Sequence, residues 1–161
     1  MLIGATASTA IYTGLYPVRS GAYPNHTFAN DETRSVCHAL GDLGYRVALS
    51  GKRHIGPESV FPFEYSGTKN PDMKAIDQLM AESKAAGQPF CVFACSNEPH
   101  TPWNKGDPSA YPPERVQLPP CHVDTPETRD GWSRYLAEIS YFDRQVGDLL
   151  RLLEKHELPP H

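Results

Sequence analysis

Two short segments of the sequence contain residue types that bind anionic groups. Lys52 and His54 are separated by one residue, and Gly51 and Gly56 flank them. Lysine supplies a compact positive charge, and histidine can donate a hydrogen bond or a proton near neutral pH. His100 lies in the second segment between two prolines, which hold it on a stiff loop. Each segment alone is typical of a solvated loop, but together they indicate an anion site.

Each segment follows a predicted β-strand. Residues 45–50 contain β-branched and aromatic side chains, and residues 89–95 form a nearly continuous apolar run, which is typical of a buried parallel strand. Ligands of open parallel sheets bind beyond the carboxyl ends of the strands. We therefore expect Lys52, His54 and His100 to converge at one edge of a parallel sheet.

The remaining elements are helices and loops. Apolar spacing, capping residues and glycine stops predict helices over residues 7–13, 31–43, 72–86 and 126–157. The second begins with Asp31 or Thr33 as N-cap, and the last begins at Pro126 or Glu127. Proline-rich stretches over residues 56–71 and 99–126 predict ordered loops. The order of elements predicts an α/β chain, with a mostly parallel sheet flanked by helices.

Composition excludes several classes of function. The 161 residues carry a net charge of −4 and no lysine- or arginine-rich run, so nucleic acid is not an expected partner. No apolar run approaches the roughly 20 residues that span a bilayer, and the first residues do not resemble a signal peptide. None of the four cysteines forms a CxxC pair or a zinc spacing, and Cys91 and Cys95 are predicted to be buried thiols.

Four segments, in chain order, resemble the sulfatase family of the alkaline-phosphatase-like superfamily. Residues 12–26 resemble the stretch after the sulfatase signature, and residues 43–56 resemble its Gly-Tyr segment that ends in Gly-Lys-x-His-x-Gly. Residues 97–103 resemble the Pro-His-x-Pro loop, and residues 135–147 resemble the helix beside the site. Residues 61–65 add a resemblance to bacterial N-sulfoglucosamine sulfohydrolase-like and arylsulfatase-like enzymes. The resemblance implies a partial alkaline-phosphatase-like sandwich, with residues 1–161 forming a single, incomplete N-terminal catalytic domain.

The resemblance also implies a chemistry. Sulfatases hydrolyse sulfate esters or N-sulfates, as in glycosaminoglycan degradation, and use a formylglycine nucleophile and calcium. Lys52 would contact the sulfate and the nucleophile, and His54 would hydrogen-bond the formylglycine hydroxyl. His100 would contact the sulfate and the leaving-group oxygen. The implied substrate is a sulfated carbohydrate or an aryl sulfate, and the implied location is periplasmic, extracellular or lysosome-like.

The sequence departs from the family pattern at its beginning. Gly4 stands at the nucleophile position, Thr6 at the proline position and Ser8 at the arginine position. Glycine has no side chain to oxidise, so formylglycine cannot form at Gly4, and the family's calcium ligands are absent from the sequence. We therefore expect this chain alone to be inactive.

Three alternatives remain open from the sequence. Thr6 or Ser8 could serve as a hydroxyl nucleophile near a helix N-terminus. The chain could instead be a non-catalytic remnant that binds anions or glycans. It could also derive from a phosphoester or phosphonate hydrolase of the same superfamily.

Overall fold

The computed structural model describes residues 4–24 and 26–158. The chain divides into two compact units, Met1–Cys95 and Ser96–His161. The assignment of all 161 residues to one incomplete domain stays a prediction. Residues 1–3, on which the expectation about a signal peptide depends, lie outside the described part.

The first unit is an α/β unit. Its elements are α1 (Gly4–Thr13), α2 (Pro17–Ser20), α3 (Val36–Asp42), β1 (Arg46–Gly51), β2 (Glu64–Ser66), α4 (Met73–Ala86) and β3 (Phe90–Cys95). The strands pair in the order β2-β1-β3, and both pairings are parallel. The predicted parallel pairing of the two long strands is therefore confirmed.

The register of β1 and β3 aligns the two ends of the strands. Arg46 lies opposite Phe90, and Gly51 lies opposite Cys95. The first residue beyond β1, Lys52, continues the pairing, because its backbone N–H donates to the carbonyl of Cys95 at 2.7 Å. Lys52 therefore begins its loop at a position that the ladder determines.

Helix α4 begins and ends at residues that the sequence indicated. The Asp72 carboxylate accepts from the backbone N–H groups of Lys74 and Ala75, as an N-cap should. Gly87 ends the helix in the left-handed conformation, at φ 61°. The apolar face also packs as predicted, because Ile76 and Met80 are buried.

The predicted start of α3 is wrong. The helix begins at Val36, and its N-cap is Ser35 rather than Asp31 or Thr33. The reason is a capping box, in which the Ser35 side chain meets the N3 backbone and the His38 side chain meets the Ser35 backbone. The Ser35 hydroxyl also donates to the carbonyl of Val60 at 2.5 Å, which joins the helix start to the core.

The core of the first unit lies between the sheet and the helices, around Tyr12. The Tyr12 ring makes edge-to-face contacts with Phe61, Phe63 and Phe93, with ring centroids 6.3, 5.2 and 5.0 Å away. Its hydroxyl lies 3.3 Å from the sulfur of Cys95. These contacts hold α1 against the strands that carry the site loops.

The predicted burial of β3 is wrong. All six of its residues are half-buried, because β3 lies at one edge of the sheet among the described residues. Cys91 and Cys95 are therefore half-buried thiols rather than fully buried ones. Partial burial still raises the pKa of the Cys91 thiol above its ordinary value.

The second unit consists of a long loop and α5 (Pro126–Lys155). The apolar positions that recur along α5 predict a core-facing stripe, yet much of that stripe is exposed. Ile139, Phe142 and Val146 are each exposed by more than a third. The fully buried residues of α5 form a different and largely polar set: Ser133, Ala137, Glu138 and Gln145.

Glu138 binds α5 to the loop. It is fully buried, and one carboxylate oxygen accepts from the backbone N–H groups of Asn104 and, at 2.8 Å, Lys105. Gly106 follows, where a Cβ would lie 2.0 Å from the carbonyl oxygen of Ala137. The loop therefore lies so close to the helix that only glycine fits.

No helix among the described residues is long and apolar enough to cross a membrane.

Replacing Glu138 tests this attachment. We expect Glu138→Ala to lower the free energy of unfolding of the second unit by about 1–3 kcal/mol, because two buried N–H groups lose their acceptor. Both tryptophans, Trp103 and Trp132, lie in this unit, so their fluorescence during urea unfolding reports on it alone. Asp143→Ala, at an exposed position of the same helix, is the control. Equal stability of the two variants would contradict the assigned role of Glu138.

The exposed stripe of α5 leads to a second prediction. We expect the chain to self-associate at micromolar concentration, because exposed contiguous apolar surface favours association. Replacing Phe142 and Val146 together by serine should shift the sedimentation coefficient to that of a monomer. Asp143→Ser should leave association unchanged. A monomeric unmodified chain would contradict this expectation.

Candidate functional site

The position predicted for the nucleophile lies against His54. Gly4 is the first residue of α1, and a Cβ at Gly4 would lie 2.9 Å from Nδ1 of His54 and 3.4 Å from its Cε1. A side chain at position 4 would therefore point at the imidazole ring. The structure brings together two of the predicted site positions, and it does so within the first unit.

A second histidine completes this cluster. Nδ1 of His26 lies 2.9 Å from Nε2 of His54, and the ring centroids are 4.7 Å apart. His26 was not among the predicted site residues, although it is the last residue of the segment that resembles the sulfatases. The only feature of the sequence that could have indicated a role for His26 is its residue type, because no short-range spacing relates positions 26 and 54.

Lys52 lies two residues before His54, at the carboxyl end of β1. Gly51 makes this path possible: its φ is 108°, and a Cβ there would lie 2.1 Å from the carbonyl oxygen of Cys95. Lys52 is half-buried and forms no ion pair with another described residue. The neighbouring Arg53, by contrast, pairs with Glu58 and lies 4.0 Å from the centroid of the Tyr65 ring. Lys52 is therefore the cation left available for an anionic ligand.

The surroundings favour neutral His54. Burial lowers the pKa of His54 below its ordinary value, and electrostatic interactions with His26 and Lys52 lower it further. At neutral pH the ring therefore carries one proton, on either Nδ1 or Nε2. Its unprotonated nitrogen is available as a hydrogen-bond acceptor.

His100 lies in the second unit on the loop that Glu138 binds. Its ring is exposed, and Nδ1 lies 2.7 Å from the carbonyl oxygen of Thr101. Because a carbonyl only accepts hydrogen bonds, Nδ1 carries the proton and Nε2 is left for a ligand. The indole N–H of Trp103 donates to the carbonyl of Pro99 at 3.1 Å, which stiffens the loop around His100.

Lys52 and His54 follow β1 two residues apart, and the structure places position 4 against His54. Gly4, Lys52 and His54 belong to the first unit, and His100 belongs to the second. The approach of His100 to Lys52 stays a prediction.

The two alternative nucleophiles have different surroundings. Thr6 is buried, and its hydroxyl donates to the carbonyl of Tyr23 at 3.4 Å. It lies about 200° round the helix from Gly4, so its side chain leaves another face. Ser8 is half-buried and lies one turn beyond Gly4 on the same face. Of the two hydroxyls, that of Ser8 is on the face of α1 that meets His54.

The described residues do not by themselves fit a metal ion. Within residues 4–24 and 26–158, no group of three or more His, Cys, Asp or Glu side chains could hold one. His54 lies beside Gly4, and the neighbours of His54 are an imidazole and an ammonium group, whereas calcium and magnesium require oxygen ligands. This part of the chain is suited to an anion rather than to a hard cation.

Comparison with curated proteins finds sulfatases. Over 104 residues the chain is 35% identical to an ulvan-active sulfatase of Formosa agariphila, a match that covers 61% of this chain and 21% of the relative. Over 182 residues it is 24% identical to the human N-sulphoglucosamine sulphohydrolase, covering 89% of this chain and 36% of the relative. No family model matches the chain. The chain thus spans about a fifth and about a third of the length of these two relatives.

Solved structures show the same fold. A structure concerned with the metabolism of multiple glycosaminoglycans by Bacteroides thetaiotaomicron superposes with a TM-score of 0.79 at 18% identity, covering 97% of this chain and 46% of that one. Another, solved in complex with its substrate D-glucosamine-2-N,6-O-disulfate, gives 0.68 at 14% identity, covering 96% and 53%. The parallel sheet flanked by helices is therefore the partial alkaline-phosphatase-like fold that the sequence predicted.

The sequence matches and the fold matches agree. By name, the curated relatives are an ulvan-active sulfatase and an N-sulphoglucosamine sulphohydrolase, and sulfatase relatives imply a divalent metal as cofactor. His26, Lys52 and His54 lie in the segments that carried the resemblance. In sequence and in fold, the chain is similar to a fragment of a sulfatase.

Proposed function

We propose that this chain forms part of a sulfatase site for sulfate esters or N-sulfates of carbohydrates, and that the chain alone does not turn over. The supporting observation is the position of the His54 imidazole, 2.9 Å from where the Cβ of residue 4 would lie. The chain retains the group that would serve a nucleophile, while glycine at position 4 supplies no nucleophile.

Lys52 is the anion-binding group in this proposal. A sulfuryl group presents several anionic oxygens, and a half-buried ammonium without a carboxylate partner among the described residues stabilises their charge. The neutral ring of His54 supplies a hydrogen-bond acceptor beside it. Lys52 and His54 together suit an anion with a hydroxyl group on it or next to it: Lys52 binds the anion, and His54 accepts a hydrogen bond from the hydroxyl group.

His100 is the proposed acid for the leaving group. Its Nδ1–H donates to the Thr101 carbonyl, and this bond becomes stronger when the ring is protonated. A proton on Nε2 could then pass to the departing oxygen or nitrogen as the bond to sulfur breaks. In hydrolysis, the oxygen of one water molecule forms the new bond to sulfur, one of its protons restores the proton that His100 gave up, and the other stays with the sulfate formed.

The divalent metal that we propose as the cofactor is calcium, as the family resemblance implies. A bound calcium ion would polarise the sulfate oxygens. The described residues do not fit it, as their donors beside Gly4 are nitrogen atoms. No step of the proposal therefore depends on it.

The proposed substrate is a sulfated amino sugar, as found in glycosaminoglycans. The names of the human relative and of the structure with bound D-glucosamine-2-N,6-O-disulfate support this choice. An aryl sulfate serves as a model substrate. The proposed location is periplasmic, extracellular or lysosome-like, as the family resemblance implies.

A second candidate function is a non-catalytic anion- or glycan-binding role. Gly4 favours it, because the residues that bind an anion are present and the covalent step has no nucleophile. Both functions predict that the chain alone binds an anion and does not hydrolyse it.

The turnover assay uses a chromogenic aryl sulfate and an N-sulfated glucosamine. We expect no hydrolysis by the purified chain, even when calcium and a formylglycine-generating enzyme are added, because Gly4 has no side chain to oxidise. Turnover that disappears in Lys52→Ala or His100→Ala would show this expectation to be wrong. Turnover that disappears only in Thr6→Ala or Ser8→Ala would instead identify a hydroxyl nucleophile.

The binding assay is a sulfate titration followed by NMR. We expect weak binding that Lys52→Ala weakens by about tenfold or more, since a charge-assisted hydrogen bond contributes about 1.5–3 kcal/mol. Arg53→Ala removes the same charge from the adjacent position and should change affinity less, because Arg53 is already paired with Glu58. Equal losses in the two variants would mean that only net charge matters, and the anion site would be wrong.

A further inference from the structure

We propose that His26 is a positioning residue of this site. Through its Nδ1 it holds the ring of His54 and keeps the proton of that ring on Nε2, so that the unprotonated Nδ1 of His54 faces position 4. The proposal rests on the proposed sulfatase site, because it states how that site orients one of its groups.

The two nitrogens of His54 have different neighbours. Nε2 lies 2.9 Å from Nδ1 of His26, which is hydrogen-bond distance. Nδ1 is the atom nearest to the Cβ position of residue 4. Contacts at both nitrogens restrict rotation of the ring. The partner at Nε2 therefore determines whether Nδ1 directs a proton or a lone pair toward position 4.

Electrostatics selects one of the two hydrogen-bond directions. A single proton lies between the two imidazoles, carried by Nε2 of His54 or by Nδ1 of His26. The first N–H groups of α1, which begins at Gly4, have no acceptor within the helix and form its positive end. A lone pair on Nδ1 of His54 is favoured toward that end, and an N–H is disfavoured. The proton of His54 therefore resides on Nε2 and is donated to His26.

The charges around the pair favour the same state. Burial lowers the pKa of His54 and Lys52 lowers it further, so a second proton on that ring is disfavoured. In the proposed state His26 accepts at Nδ1, and the hydrogen bond between the two imidazoles is satisfied.

The backbone of His26 adopts a conformation that places its ring. Its φ is 66°, in the left-handed region that disfavours residues other than glycine and asparagine by about 1–2 kcal/mol. The next residue supports the turn, because the N–H and the hydroxyl of Thr27 both donate to the carbonyl of Pro24, at 3.3 and 2.6 Å. An unfavourable conformation retained in this way is typical of residues with a function.

The consequence is a defined acceptor at position 4. An unprotonated Nδ1 there accepts a hydrogen bond from a hydroxyl group of substrate or water. If the proton moved to Nδ1, the same ring would become a donor and would repel the amide end of α1. His26 thus determines whether His54 acts as acceptor or donor, without touching the substrate itself.

The experiment reads the tautomer of His54 directly. The full chain is labelled with ¹⁵N-histidine and carries the two serine substitutions in α5, which lie in the other unit and keep it monomeric. Ring nitrogen resonances are assigned by comparison with His54→Gln. We expect His54 of this protein to show a protonated Nε2 and an unprotonated Nδ1.

Two substitutions at position 26 form the matched pair. Asparagine places an amide atom where Nδ1 of histidine lies, and it tolerates positive φ. Glutamine places its amide where Nε2 lies, beyond reach of His54. His26→Asn should therefore retain the Nε2–H tautomer of His54, and His26→Gln should give averaged resonances of both tautomers.

Three outcomes decide the proposal. A protonated Nδ1 on His54 of the unsubstituted site would overturn it, and so would unchanged resonances in a folded His26→Gln variant. The far-ultraviolet circular dichroism of each variant shows whether it is folded, and the unsubstituted site alone tests the tautomer if glutamine prevents folding. A sulfate titration of the same samples tests the anion site separately: lost sulfate binding with the expected tautomer would contradict the proposed function and leave the role of His26 intact.

Discussion

The parallel pairing of β1 with β3 is the constraint on which the first unit and its candidate site depend. It extends to the last residue of each strand, Gly51 opposite Cys95, and continues through the backbone bond from Lys52 to the Cys95 carbonyl. The missing Cβ of Gly51 allows this close approach, because any side chain there would collide with that carbonyl. A displaced ladder would move Lys52 and, two residues later, His54. The strand register therefore determines the geometry of the cluster, and the edge-to-face contacts of Tyr12 hold α1 with Gly4 against it.

The same pairing sets the start of the loop that carries Lys52 and His54, and the start of α1 lies against His54. His26 contacts the other side of the His54 ring. Burial lowers the pKa of His54, and the basic neighbours His26 and Lys52 lower it further, so the arrangement disfavours further protonation and favours an anionic ligand. The nearby Arg53 does not add to this potential to the same extent, since its charge is balanced by Glu58. The site therefore has the electrostatics of an anion-binding site, with the Lys52 ammonium group beside the His54 imidazole.

Local patterns predicted part of this structure, and long-range contacts explain the rest. The bounds of α4 could be predicted from Asp72 and Gly87, and the position of β1 from its residue types. The α/β class and the position of Lys52 after β1 could therefore be predicted as well. The capping box at Ser35 depends partly on the Val60 carbonyl, 25 residues away, and was not visible in local spacing. The burial of β3 depends on which strands lie beside it in the sheet. The burial of Glu138 depends on the loop that contains Lys105, which is distant from Glu138 in the sequence. The pairing of His26 with His54 spans 28 residues, so local patterns could not identify His26 as the partner of His54.

Glycine at position 4 and the imidazole pair are structurally linked. A Cβ at 2.9 Å from Nδ1 is closer than real Cβ atoms come to another heavy atom, so any other residue at position 4 requires the His54 ring to move. The ring cannot move freely, because Nε2 is bound to His26 at 2.9 Å and Ile55, the next residue, is buried in the core. A nucleophile at position 4 would therefore compete with the hydrogen bond between the histidines. In this chain Gly4 has no side chain, and the space that this leaves allows the imidazole of His54 to approach α1. The absence of a nucleophile at position 4 and the position of the His54 ring therefore result from the same packing.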